Sequence, residues 1–372
     1  MTGRINKTGI FALSALLILF YISCSKKSNP TDEPAANGFD KTAMLTNYAD
    51  NLIIPAYEQT QAKLTLLQTT VNTFLATPNP TTQTALKAVF KDSYLQIERI
   101  SVLEFGPSRN NAFIGFINTL PANTMKKVGE KTDLAIMEEN IASGSWNLVQ
   151  NSAIHQQGFP ALDYLFFAND AVAKFTDANS ANRKKYVQDV LNRIKSLLDQ
   201  TLSNWKSTYR SQFIANTKSD SGSPISYMLN QFAYEMDMLK GPRIGWPFGT
   251  QSGGVQFPEL CEAYYSGLSL DLAIENMNSL KNMFTGNNSG KGISDLLTAL
   301  GNKQLKDEIL NQFSVVDAKL KAIPAPLSSA LANNKPAIED ANKEIQLLLR
   351  LIKTDAVSKL GVQISYVDND GD

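Results

Sequence analysis

Histidine and cysteine are nearly absent from this chain: 372 residues hold one His and two Cys. The two cysteines are Cys24 and Cys261. If the first is consumed by processing, no internal disulfide can form, so the fold must rest on its own core, which a chain of this length can build. Cys261 reads as a buried, inert thiol rather than a nucleophile. No His-Glu-x-x-His pair and no Gly-x-Ser-x-Gly elbow occurs, which removes the familiar zinc-protease and serine-hydrolase signatures. Charge of one sign is missing too. Basic and acidic residues number 35 each, with no Lys/Arg run, so nucleic acid is not an expected partner. Sustained period-two alternation is scarce, which argues against sheets.

The front of the chain is a targeting signal. Arg4 and Lys7 precede an apolar run, residues 10–22, too short to span a bilayer comfortably. It ends Tyr21-Ile22-Ser23-Cys24, a small residue before cysteine as at a bacterial lipoprotein cleavage site; the alternative is ordinary secretion. The expected division is a signal peptide at 1–23 and a lipid-bearing Cys24 opening a polar, Pro-containing tether at 24–38. An N-terminal helical bundle at 39–216 and a C-terminal one at 217–372 follow. Removing 1–23 leaves the acids two ahead of the bases. The expected location is the cell envelope, with the outer membrane favoured and either leaflet face open.

Helical periodicity fills the rest. Helices are expected over 40–75 (kinked by Pro55), from Thr81 or Thr82 to a Phe105-Gly106-Pro107 stop, and over 124–141, 181–214, 224–239 and 258–284. Shorter ones are expected at 293–300, 304–323 and 336–354. Gly241-Pro242 is read as a second helix stop before a loop, residues 217–223 as a linker, and 362–366 as short and strand-like. The fold class is all-α, two bundles packed together, with a duplicated up-down bundle as one reading.

The most informative stretch is 155–167, where His155, Gly158, Pro160 and Asp163 fall inside an otherwise helical, Phe/Leu/Tyr-rich pattern. An uncompensated carboxylate there would be expensive. Asp163 is therefore expected either in an ion pair with Arg109 or Arg243, or in a ligand or metal pocket. Arg243, on a stiff Gly/Pro/Trp segment, is placed to clamp a carboxylate or anion or simply to anchor its loop. Ser266 and Ser269 share a helical face with Glu262. Hard oxygen donors for a ferric ion would come from Asp163, Glu98, Glu104, Glu259, Glu262 and Tyr164. His155 is read as a surface or half-buried residue, or as a metal ligand beside Asp163 and Glu262.

Four segments together resemble the imelysin-like (M75 peptidase-like) family. Residues 94–100 with Phe105-Gly106-Pro107 are similar to the end of its first helix, and 239–247 to its second loop. Residues 262–271 with Met283-Phe284-Thr285-Gly286 are similar to its last shared helix. Residues 158–166 sit where the family has Gly-x-His-x-x-Glu, but here Pro160 replaces the histidine and Asp163 the glutamate. The resemblance implies an exported two-bundle helical protein tied to iron acquisition, with a site between the bundles and iron-uptake components or an iron-bearing ligand as partners. Some members are metallopeptidases. Losing the histidine moves the expectation here toward binding without catalysis. An M75-type hydrolase and a structural lipoprotein with a decayed pocket stand as alternatives.

Overall fold

The computed structural model describes residues 38–120 and 131–365. The signal peptide, Cys24, nearly all of the tether, the start of the expected 124–141 helix and Tyr366 lie outside them. Among the described residues every regular element is helical. From Gly38 onward they form one compact unit.

The chain opens with α1 (Lys41–Asn47), where Asp40 caps the first turn by accepting from the Ala43 N–H at 2.9 Å. A π-helical turn, Tyr48–Ile53, leads directly into α2 (Ile54–Ala76). Pro55 therefore sits in an N-terminal turn, where its missing N–H costs little, and is not a mid-helix kink. The cap of α3 (Pro80–Ser101) is Asn79, not Thr81 or Thr82. Its side chain accepts from both of those backbone N–H groups, while Thr82 Oγ1 accepts from the Asn79 N–H. Then come α4 (Pro107–Asn110), α5 (Phe113–Ile117) and α6 (Asp133–Ser143). Pro107 begins a helix rather than ending one.

The stretch around Gly158 is not a helix broken by proline. A 3-10 turn, Asn151–Gln156, ends at extended Gln157, and α7 (Gly158–Phe167) starts afresh with Pro160 in its first turn. The break belongs to Gly158. Its φ is +77°, and a Cβ there would lie 2.6 Å from the Ile117 carbonyl oxygen, so only glycine lets α7 seat on α5. Next are α8 (Ala171–Lys174) and α9 (Ser180–Asn204). In α9, Tyr186, Val190, Ile194, Leu197 and Leu202 recur at helical spacing and are buried. A π turn, Trp205–Tyr209, precedes α10 (Arg210–Ala215).

After the 216–223 loop, Ser223 caps α11 (Pro224–Met238). Gly241-Pro242 does not stop it: the chain passes through a wide π turn, Leu239–Gly245, into α12 (Trp246–Phe248). The expected 258–284 helix is two pieces, a 3-10 turn Pro258–Leu260 and α13 (Ser269–Thr285), with a folded loop between them. The remainder is α14 (Ile293–Ala299), α15 (Lys303–Lys321), α16 (Leu327–Asn333) and α17 (Lys335–Arg350). A fourth π turn, Leu351–Ala356, then leads to α18 (Val357–Lys359). Residues 362–365 form no strand.

Helices α2 and α3 pack along each other, with α9 on α2 and on α7. In the later part α15 packs on α17, and α17 touches α11 and the Leu239–Gly245 turn. Helix α13 packs on both α3 and α15, which makes α3–α13 the main junction between the earlier and later helices. Phe74, Phe90, Phe159, Phe166 and Phe175 stack into an aromatic core under α7. Each such ring removed from water contributes on the order of 2 kcal/mol.

Candidate functional site

At the α3–α13 junction lies a sealed polar cluster. Arg243, from the π turn, reaches Glu98 of α3 at 2.8 Å, Glu235 of α11 at 3.8 Å, and Glu262 of the loop before α13 in direct contact. All four side chains are at most 3% exposed. Carboxamides complete it. Asn118, just past α5, donates to Glu98 and Glu262, both at 2.9 Å, and accepts from the Tyr94 hydroxyl at 2.7 Å. Asn276 of α13 donates to Glu98, Ser101 and Glu235, each at 3.1 Å. Gln231 donates to Glu235 at 3.3 Å.

Three carboxyls share one guanidinium, so full ionisation would bury a net negative charge. Burial pushes the Glu98 carboxyl well above its usual range, Arg243 opposes that, and Glu262 and Glu235 add to the rise. Glu235 is raised by burial against the pull of Arg243 and Asn276. Burial works against the charge on Arg243, but Glu262, Glu98 and Glu235 outweigh it and keep the guanidinium protonated. Tyr94 is held neutral by burial and by the neighbouring carboxylates. The cluster thus stores protons in the folded state.

Asp163 has a different job. Its oxygens accept from the backbone N–H groups of Tyr265 at 2.9 Å and Ser266 at 3.0 Å. Burial still lifts its carboxyl to about 6, against those hydrogen bonds. The expected ion pair with Arg109 or Arg243 is not formed. Arg243 is taken up by the three glutamates, and Arg109 is exposed and acts on Glu104. Glu104 sits at about 7, raised by burial and by Glu235, against hydrogen bonds from the Ile114 and Gly115 N–H groups.

The loop that Asp163 pins turns sharply at Ala263 (φ +48°), and the Gly267 N–H donates to the Ala263 carbonyl at 2.9 Å. Ser269 Oγ donates to the Glu262 carbonyl. Asp163, Ser266 and Ser269 are therefore the frame that aims Glu262 at Arg243. Glu259, Glu262 and Ser266 do not share a helix face, because no helix runs there. Cys261 is buried, its thiol pushed by burial to about 12.

Tyr164 donates to Glu138 at 2.6 Å, within a group that includes Lys174 and Arg183. His155 is half-buried on the 3-10 turn. Asp163, Glu262 and His155 do not gather as ligands: among the described residues no group of three or more His, Cys, Asp or Glu is arranged to hold a metal ion. The oxygens of Asp163 are engaged by backbone, and the guanidinium of Arg243 fills the place among the three glutamates that a cation would take.

Sequence reasoning missed Glu235, Asn276 and Asn118. A signal did exist for Asn276, which lies on the Ala273–Met277–Leu280 stripe of an amphipathic helix, a poor place for an amide without partners.

Beside the sealed cluster, where α2 and α3 meet α13, is an open groove of 220 Å³. Asn51, Gln59, Gln96, Arg99, Ser279 and Asn282 contribute to its lining. Arg99 pairs with Glu275 at 2.5 Å and donates to Gln96 at 2.9 Å. No helix of the described residues is long and apolar enough to cross a membrane.

Fold and site define an all-α protein whose polar centre is a shielded ion cluster rather than an exposed nucleophile. The imelysin family model (peptidase family M75) matches residues 53–354, and the chain belongs to that family. Two solved structures share the fold. One is a putative iron-regulated protein A precursor from Parabacteroides distasonis, 17% identical, with TM-score 0.70, covering 86% of this chain and 95% of that one. The other is an imelysin-like protein from Psychrobacter arcticum, 18% identical, with TM-score 0.68, covering 88% of this chain and 97% of that one. No curated protein sequence matches the chain.

Proposed function

We propose that this imelysin-family protein is a lipid-anchored component of the bacterial cell envelope that binds an iron-related ligand without catalysing hydrolysis. The recognition face is the groove where helices of the 39–216 bundle meet those of the 217–372 bundle. The anchor is Cys24 with its polar tether, and the outer membrane is the expected location.

The observation that carries this reading is the groove lined by α2, α3 and α13, polar and open, directly beside a cluster that fixes its walls. Carboxamides offer donors and acceptors side by side, and Arg99 supplies a cation for acidic groups on a ligand. The link to iron comes from the family resemblance and from the Parabacteroides relative, which is called an iron-regulated protein precursor. The donor set argues for an iron-bearing molecule as cargo rather than for a bare ion, since Asp163, Glu262 and His155 are not assembled to ligate one. Hydrolysis is disfavoured because Pro160 offers no donor at the family's histidine position and Asp163 serves backbone N–H groups.

Calorimetric titration of the purified protein with Fe³⁺, Fe²⁺, Zn²⁺ and haem tests this. Saturable binding of an iron species, weakened in Arg99→Ala and in Asn282→Ala, is expected. No heat from any of them would leave a structural lipoprotein with a decayed pocket. Peptide cleavage by the metal-loaded protein would restore the hydrolase.

A further inference from the structure

A second groove, of 460 Å³, lies away from the α3–α13 junction, between the 144–149 loop and one face of α9. Its acceptors are already spent within the protein. Asn147 Oδ1 takes the Val149 N–H at 3.1 Å, and Asn192 Oδ1 takes Gln68 Nε2 at 3.2 Å. Asp189 Oδ2 takes both Trp146 Nε1 at 2.9 Å and Lys185 Nζ at 2.5 Å. The donors are not spent. The amide nitrogens of Asn147 and Asn192 retain their protons, and Lys185 Nζ has two left after Asp189. Arg193 is the sharpest case. Its guanidinium lies over the Phe116 ring at 5.1 Å, its Nε is shut away from solvent with no acceptor, and no described carboxylate pairs with it.

Charge agrees with this count. Arg193 and Lys185 against Asp189 leave one positive charge, which a monoanion balances and a dianion overshoots. An apolar wall is present as well: Val149 is 65% exposed at the groove, next to the half-buried Trp146. We infer that this groove binds a small organic carboxylate, its oxygens on Arg193 and the Asn147 and Asn192 amides, its apolar body on Val149 and Trp146. Guanidinium–carboxylate pairing of this kind is directional and charge-assisted.

The test is isothermal titration of the full-length protein in a neutral detergent with benzoate, its uncharged isostere benzamide, and inorganic phosphate. Benzoate is expected to saturate at millimolar concentration or below, with benzamide silent. Arg193→Gln should weaken benzoate by roughly tenfold or more, the loss of one charge-assisted contact. If Arg193→Gln does not fold, Lys185→Gln and Asn147→Ala, both at exposed positions, should each weaken it a few-fold. Equal binding of benzamide, binding of phosphate without benzoate, no binding of benzoate, or unchanged affinity in all three variants would each overturn the assignment.

Discussion

Single carboxyl groups set the pH response. Glu104 moves from 4.5 to about 7 on folding and Asp163 from 3.8 to about 6, both upward through burial. A carboxyl raised in the folded state holds its proton more tightly there. Its contribution is complete below the unfolded value and is lost as pH climbs through the folded one. Glu98 and Glu235 act in the same sense. Asp50 and Glu138 are lowered, the first by its hydrogen bond to Arg210, the second by Tyr164 and Arg183 against burial. Their contributions fade instead as pH falls. The stability maximum should therefore lie on the acid side of neutrality. Glu104→Gln keeps an acceptor for Ile114 and Gly115 but cannot ionise. Urea midpoints measured across pH should fall less steeply toward pH 7 in this variant than in the parent. Parallel profiles would refute the assignment to Glu104.

At the scale of elements, the sequence was most readable where periodicity was clean and least readable where helices change gauge. The stripe of α9 and the Asp40 cap follow from residue spacing. The rigidity of the Gly241–Pro247 segment and its use of Arg243 to hold carboxylates were also legible. What it could not show is that the Gly-Pro pair stays helical inside a π turn, because proline and glycine locally signal a stop. The 261–268 loop was misread as helix for a related reason. Glu262, Ser266, Ser269 and Asp271 fit a helical repeat, while the force that bends the chain there comes from Asp163, about a hundred residues away. Removing that carboxylate strips acceptors from two N–H groups. Asp163→Ala should cost roughly 3 kcal/mol, the scale of charged hydrogen bonds lost at a buried site. Hydrogen exchange should quicken first at Tyr265 and Ser266. Unchanged exchange at those amides would mean the loop holds itself.

For the whole molecule, the ion cluster joins segments on both sides of the 217–223 linker. Glu98 comes from before it, and Glu235, Arg243 and Glu262 from after. Tyr48 reinforces the join, donating to the Met283 carbonyl at 2.5 Å and accepting the Ile293 N–H at 2.9 Å. Unfolding one side would strand buried charge on the other. The protein should melt in one calorimetric transition, and Arg243→Met should lower it as a unit by about 3–5 kcal/mol, the usual penalty for orphaning buried ionic partners. Two separated transitions, in parent or variant, would show that the cluster does not couple the sides.

The wide turn at Leu239–Gly245 has a corollary for anyone altering its length. An ordinary helix advances about 100° per residue, and a π turn accommodates one residue more than that winding needs. Excising one residue there could let α11 run smoothly into α12 as regular spiral. The same excision would swing whatever follows it by roughly a quarter revolution, carrying the guanidinium off its three acidic neighbours. The apparent irregularity is thus the spacer that sets the bearing of the arginine.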